Sequence, residues 1–157
     1  MELNHEQFMR EAIKLSVENV DNKGGPFGAI IVKNGKVISY GANRVTATND
    51  PTAHAEIIAI REAAKNLKNY NLSGCDIYTS CEPCPMCLAA IYWARIDRIF
   101  YGNTKQDAKA IGFDDSFIYD EISLPIEMRK VKTKQLLRDE AQKGFKKWEK
   151  FEGRVDY

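Results

Sequence analysis

The hydrophobic positions near the start of the chain recur at helical spacing. Phe8, Ala12 and Leu15 fall on one face of a helix with a period of about 3.6 residues. Asn4, followed three residues later by Gln7, has the pattern of a helix N-cap with its reciprocal partner. The chain is therefore expected to open with an amphipathic helix.

Beyond this helix the pattern changes to short apolar runs separated by turn residues. Residues 28–32 form an apolar run that predicts a strand, and Asn34-Gly35 is a strong signal for a two-residue hairpin turn. The order of elements predicts one domain over residues 1–157, a three-layer α/β/α fold with a mixed central sheet of about five strands. The further elements predicted after the hairpin turn are strands at 37–40, 76–79, 98–101 and from Val131, and helices at 52–67, 86–95 and 136–148.

Composition and charge narrow the class of protein. Hydrophobic residues make up 44% of the chain, enough for a core without a metal or disulfide. Charged residues make up 29% and the net charge is +1, so no nucleic-acid partner is expected. The chain has no apolar run long enough to span a bilayer, and its polar start does not resemble a signal peptide. These features predict a cytoplasmic protein with no membrane partner. In such a reducing compartment, the four cysteines are expected to be metal ligands or buried apolar residues and not disulfides.

Two short motifs carry the candidate chemistry. His54-Ala55-Glu56 lies upstream of Pro83-Cys84-Pro85-Met86-Cys87. His54, Cys84 and Cys87 would give three protein ligands to a zinc ion and leave a fourth position for water or hydroxide. Glu56 would stay off the metal and transfer protons. The combination H-x-E…P-C-x-x-C is a known signature of zinc deaminases, with the glutamate as general acid and base.

Each part of this constellation has another interpretation. A C-x-x-C pair is also typical of redox sites in thioredoxin-like proteins. Cys81 stands three residues before Cys84, so one histidine and three cysteines could close a structural zinc site with no open position. Pro85 can open a helix as its first residue, which places Cys84 and Cys87 at the helix start, where thiolates are favoured. This arrangement favours Cys84 and Cys87 as ligands over Cys81.

The chain resembles the cytidine deaminase superfamily of zinc-dependent nucleobase deaminases and, more narrowly, its bacterial guanine deaminases. The zinc motifs carry the first resemblance. The residues Phe113-Asp114-Asp115-Ser116-Phe117-Ile118-Tyr119 carry the second. The resemblance implies the cytidine-deaminase-like fold, one zinc ion per subunit, and a small purine base as substrate. It further implies a homodimer in which the C-terminal tail, about residues 130–157, is exchanged with the partner subunit.

The same resemblance implies roles for individual residues. Asn43 would hydrogen-bond the purine, and the backbone N–H of Ala55 would hold a ring carbonyl. Asp115 would join Glu56 as a catalytic residue at the ring edge that bears the leaving amine. Phe27 and Trp93 would pack against the faces of the ring as its two walls. Tyr157, at the chain end, would close the partner's site.

Three functions follow as hypotheses. The first is hydrolytic deamination of guanine to xanthine and ammonia in purine metabolism. The second is deamination of adenosine in tRNA, or of another nucleobase or nucleoside, by the same fold; the tRNA reaction would require a basic surface. The third is a non-catalytic interaction module stabilised by zinc, whose metal site would be closed by Cys81. The net charge of +1 favours the first over a tRNA deaminase.

Overall fold

The computed structural model describes residues 4–157, and the chain divides into two compact units, Met1–Ser116 and Phe117–Tyr157. The first unit alternates helices and strands in the predicted order. A short helix also interrupts the polar loop after the hairpin. The elements of this unit are α1 (His5–Asp21), β1 (Gly28–Lys33), β2 (Lys36–Ala42), α2 (Val45–Thr48), α3 (Ala55–Leu67), β3 (Cys75–Cys81), α4 (Pro85–Trp93), β4 (Arg98–Asn103) and α5 (Lys105–Ala110).

The first helix and the hairpin form as the sequence predicts. The Asn4 side chain accepts a hydrogen bond from the Gln7 backbone N–H at 3.0 Å and so caps α1. Asn34 and Gly35 both adopt positive φ angles, 50° and 73°. Such a pair matches the twist of the two strands that it joins, which is why Asn-Gly is favoured here.

The four strands that the structure describes form one sheet in the order β2-β1-β3-β4. β1 pairs antiparallel with both β2 and β3, whereas β3 pairs parallel with β4. The sheet is therefore mixed, as predicted. Its parallel pair needs a crossover, which α4 supplies.

Both faces of the sheet are covered, which gives the predicted three layers. Ile30 and Val32 of β1 face α1, where they pack in one cluster with Phe8 and Ala12. Ile31, between them in the sequence, points to the opposite face because side chains alternate along a strand. There it packs in a second cluster with residues of β3, α3 and α4. The second cluster includes Ala55 at the start of α3 and Ile91 in the last turn of α4.

Gly41 allows α3 to lie directly against β2. A Cβ atom at this position would lie 2.1 Å from the carbonyl oxygen of Ala55 and 2.7 Å from the backbone nitrogen of Ala59. Both atoms belong to the backbone of α3, so neither can rotate away. The absent side chain of Gly41 thus fixes how closely the first turn of α3 approaches the sheet.

The second unit is helical, and one prediction for it was wrong. It contains most of α6 (Ser116–Ser123), a 3₁₀ turn (Ile126–Met128) and α7 (Arg138–Glu149), the last close to the helix predicted at 136–148. The predicted fifth strand from Val131 is absent from the described residues. Val131 is 79% exposed, and its neighbours are lysines and polar residues, so the segment has no buried face to hold it in a sheet.

Within residues 4–157, no helix is both long enough and apolar enough to cross a membrane.

Candidate metal centre and substrate cavity

Two helix starts bring the predicted metal ligands together. His54 is the N-cap residue of α3, and Cys84 is the N-cap residue of α4. Both have the extended backbone usual for this position. Pro85 is the first residue of α4, which it favours because its φ angle is already helical and it has no N–H to satisfy. Cys87 then lies in the first turn, and its backbone N–H donates to the Cys84 sulfur at 3.5 Å.

The three ligand atoms converge on one point. Nδ1 of His54 lies 3.5 Å from Sγ of Cys84 and 3.5 Å from Sγ of Cys87. All three ligand atoms lie within 4.8 Å of one another. This spacing is compatible with a single metal ion bonded to each of them.

The donor set fits zinc. Two thiolates and an imidazole are the soft and borderline ligands that zinc prefers, and three protein ligands are typical of catalytic zinc sites. The hydrogen bond from the Cys87 thiol, aided by His54, lowers the pKa of Cys84 to about 4. Cys84 is therefore a thiolate at neutral pH, which is the form that binds metal.

Cys81 does not join this ligand group in the part of the chain that the structure describes. It is the last residue of β3, and its thiol donates to the Thr104 carbonyl at 3.8 Å. Burial, with nearby carboxylates, raises the pKa of Cys81 to about 11, so it stays a neutral thiol. The described ligand group therefore has three members, which is the open arrangement favoured from the sequence.

Glu56 lies beside the ligands and has a close neighbour at each of its oxygens. It is 7% exposed, and burial raises the pKa of its carboxyl group. The Thr79 hydroxyl lies within hydrogen-bond distance of Oε1, at 3.2 Å, and of the Cys81 carbonyl oxygen, at 3.0 Å, and the Cys87 sulfur lies 3.4 Å from Oε2. Thr79 reaches Glu56 because it has the same parity along β3 as Ile77, which faces the α3 layer. The carboxyl group is thus fixed next to the metal ligands.

His54, Cys84 and Glu56 open onto a cavity of about 520 Å³, a volume suited to a small organic ligand. Phe27 and Phe113 line it as an edge-to-face pair, with ring centroids 4.9 Å apart and planes at 88°. Asn43 and Asp115 also line it, and burial is the largest cause that raises the pKa of Asp115. The cavity therefore combines aromatic walls with a few polar groups.

The other predicted substrate residues are placed differently. Ala55 is the first residue of α3 and is fully buried; its N–H belongs to the first helical turn, which has no intrahelical acceptor. Trp93 ends α4, is 64% exposed and is not among the described residues that line the cavity. Tyr157 belongs to the second unit and is 73% exposed. Their predicted roles stay predictions.

Sequence reasoning assigned no role to two residues of the site. Phe113 was only part of an aromatic and acidic segment, yet its ring packs on Phe27 at the cavity wall. Thr79 was only part of a predicted strand, and no local pattern marks it as the partner of Glu56. A contact between residues so far apart in the chain depends on how β3 and α3 pack.

Comparison with known proteins agrees with this geometry. Residues 2–103 match the family model for the cytidine and deoxycytidylate deaminase zinc-binding region. The chain belongs to this family. Its zinc-binding region thus includes the His54, Cys84 and Cys87 cluster, and the metal of the family is the one that the donor set fits.

Individual relatives narrow the comparison. The chain is 51% identical to guanine deaminase of Bacillus subtilis (strain 168), over 99% of this chain and 100% of that protein. The X-ray structure of guanine deaminase from Bacillus subtilis superposes with a TM-score of 0.96 at 52% identity, covering 98% of this chain and 99% of that chain. The tRNA-specific adenosine deaminase of Buchnera aphidicola is 39% identical over 87% of each chain.

Proposed function

We propose that this chain is a zinc-dependent guanine deaminase, which converts guanine and water to xanthine and ammonia. The observation that carries the proposal is the opening of Glu56 and two of the metal ligands, His54 and Cys84, onto one cavity that Asn43 and Asp115 also line. The choice of guanine rests on similarity to a guanine deaminase over nearly the whole length of both chains. On this proposal the enzyme acts in purine catabolism, and its cytoplasmic location stays a prediction.

The chain's own groups account for the proton transfers. His54, Cys84 and Cys87 would hold zinc, which when bound lowers the pKa of a water from about 15.7 toward 7 and so supplies a nucleophile. In the reaction a C–O bond forms at the ring carbon that bears the amine, and the C–N bond to that amine breaks. Glu56 would accept the proton from the water, deliver it to the adjacent ring nitrogen, and transfer the second proton to the departing amino group, which leaves as ammonia.

The cavity walls complement guanine. The ring N–H and the exocyclic amine of guanine are adjacent donors, and the carboxylate of Asp115 is an acceptor suited to them. Asn43 uses its Oδ1 to accept from the Val45 backbone N–H at 3.2 Å, which leaves its amide N–H groups to donate to the base. The Phe27 and Phe113 rings supply apolar contact for a planar substrate.

An ammonia-release panel tests the proposal. Zinc-loaded protein is incubated with guanine, guanosine, adenine, cytosine, cytidine and an adenosine-containing tRNA stem-loop. Guanine should be the preferred substrate, and Glu56→Gln, which keeps the shape of the side chain, should reduce kcat by about 10²- to 10⁴-fold while zinc remains bound. Preference for the stem-loop would replace guanine deamination by the tRNA reaction, and full activity of Glu56→Gln would contradict the mechanism.

We further propose a homodimer in which residues of the C-terminal tail, about 130–157, pass to the partner subunit and Tyr157 closes the partner's cavity. The second unit supports this because it exposes many apolar side chains for so short a segment. Covering them against another copy would remove that surface from water. These exposed residues include Leu136, Leu137, Phe145, Phe151 and Val155.

Mixing two inactive variants tests the exchange. One variant lacks Tyr157 and keeps Glu56; the other carries Glu56→Gln and keeps Tyr157. In an exchanged heterodimer the intact Glu56 site receives a tail with Tyr157, so refolding the mixture should restore activity. Each variant refolded alone serves as control. An inactive mixture that contains heterodimer would contradict the exchange.

A further inference from the structure

Asn19, near the end of α1, joins two loops that line the substrate cavity. Its single amide nitrogen donates to the carbonyl of Gly25 at 2.7 Å and to the carbonyl of Asn43 at 2.9 Å. Gly25 and Asn43 both line the cavity, although the whole β1–β2 hairpin separates them in the sequence. One side chain outside the described cavity lining therefore connects two parts of its wall.

The same loops are tied to each other. The backbone N–H of Asn43 donates to the Phe27 carbonyl at 3.2 Å, and the N–H of Phe27 donates to the Gly25 carbonyl at 2.8 Å. The carbonyl of Gly25 thus accepts from both Asn19 and Phe27, which its two lone pairs allow. Asn19, Gly25, Phe27 and Asn43 form a closed circuit of hydrogen bonds.

The loop packs tightly against Asn19. A Cβ atom at Gly24 would lie 2.3 Å from Nδ2 and 2.8 Å from Cγ of Asn19. The backbone N–H of Gly24 also donates to the Asn19 carbonyl at 2.8 Å. The amide of Asn19 is therefore in close contact with the loop, which has no room for a side chain at Gly24.

Asn43 is consequently held at three points. Asn19 holds its carbonyl, Phe27 holds its N–H, and the Val45 N–H holds its Oδ1. Nothing in this set involves the metal ligands or Glu56. We propose that Asn19 is a positioning residue that fixes Asn43 and Phe27 in the cavity and thereby determines affinity for the purine base. This inference rests on the proposed guanine deamination.

Two substitutions separate positioning from general stability. Asn19→Asp keeps the shape but replaces the donor Nδ2 with an oxygen atom that faces two carbonyl oxygens. Asn19→Ala removes the group. Asn66→Asp is the matched control, because Asn66 Nδ2 makes a similar bond to the Ile38 carbonyl at 2.9 Å on the exposed side of α3. All three variants are compared with wild type as zinc-loaded full-length chains.

Steady-state kinetics with guanine give the first readout. Both Asn19 variants should raise KM about tenfold or more, equivalent to at least about 1.4 kcal/mol of lost binding, with kcat within about threefold of wild type. The Asn66→Asp variant should keep both constants. Asn19 variants with wild-type KM would overturn the inference, as would an equal loss of kcat and kcat/KM at unchanged KM.

Amide hydrogen exchange without substrate gives the second readout. Exchange at the Asn43 and Phe27 N–H groups should accelerate about tenfold in both Asn19 variants and stay at the wild-type rate in Asn66→Asp. If wild type does not deaminate guanine but this local exchange accelerates, guanine deamination fails and the positioning role stands. Unchanged exchange at both groups overturns the positioning role, whatever the substrate and even if thermal stability falls.

Discussion

Replacing Gly41 with alanine should damage the metal centre by displacing the start of α3. The new Cβ would lie 2.1 Å from the Ala55 carbonyl oxygen, about 1.3 Å short of the 3.4 Å at which ordinary van der Waals contact begins. Ala55 follows the ligand His54, so relief of this clash must displace the first turn of α3. Overpacking against backbone costs about 3 kcal/mol at the upper end of the usual range.

Thermal unfolding and zinc affinity measure the two consequences. For a chain of this size, about 3 kcal/mol lowers Tm by about 6 to 12 °C. Displacement of a ligand-bearing turn should weaken zinc binding about tenfold or more. Gly144→Ala is the control, because Gly144 lies within α7 and has nothing within 4 Å of a Cβ. Wild-type Tm and zinc affinity in Gly41→Ala would refute this account of α3.

Three further predictions concern the site. Thr79→Val removes the hydroxyl beside Glu56, so kcat should fall about 10- to 100-fold, the range for a hydrogen bond to a charged group, while zinc content stays unchanged. Thr79→Ser should recover most of the lost kcat. Inactivity of both variants would point to misfolding. Metal analysis should find one zinc per chain in Cys81→Ser and none in Cys87→Ser. Loss of zinc from Cys81→Ser would favour a structural site in which Cys81 is the fourth ligand. Removing zinc with a chelator should lower Tm by about 5 to 11 °C relative to protein with free zinc at 100 times Kd. At that concentration, zinc binding contributes about 2.7 kcal/mol to the free energy of unfolding. An unchanged Tm would indicate that the folded chain binds no metal.

The metal centre is the part of the site that local sequence patterns predict best. Two residues separate Cys84 from Cys87, and a proline between them marks the helix start, so their geometry is fixed within one turn. His54 and Glu56 likewise share one short motif at the start of α3. Such arrangements need only local backbone geometry, which the sequence encodes directly.

Contacts between distant elements could not be predicted in this way. Thr79 meets Glu56, and Asn19 meets Asn43, only because the sheet register and the packing of α1 and α3 bring them together. The strand predicted from Val131 was wrong for a related reason, since a single apolar residue among lysines says nothing about a neighbouring strand. Strands depend on partners from elsewhere in the chain, whereas helices satisfy their own backbone.

The origin of the metal ligands at two helix starts also bears on how this chain tolerates insertions. The connection from α3 to β3 begins with Lys68, Asn69 and Tyr70, all exposed. Lengthening it there would leave both ligand turns and the buried Leu72 in place, and each doubling of a loop costs only about 0.6 kcal/mol. A reporter peptide could therefore be inserted between Asn69 and Tyr70 without separating the ligands. The ligand set depends on where two helices begin and not on how much chain lies between them.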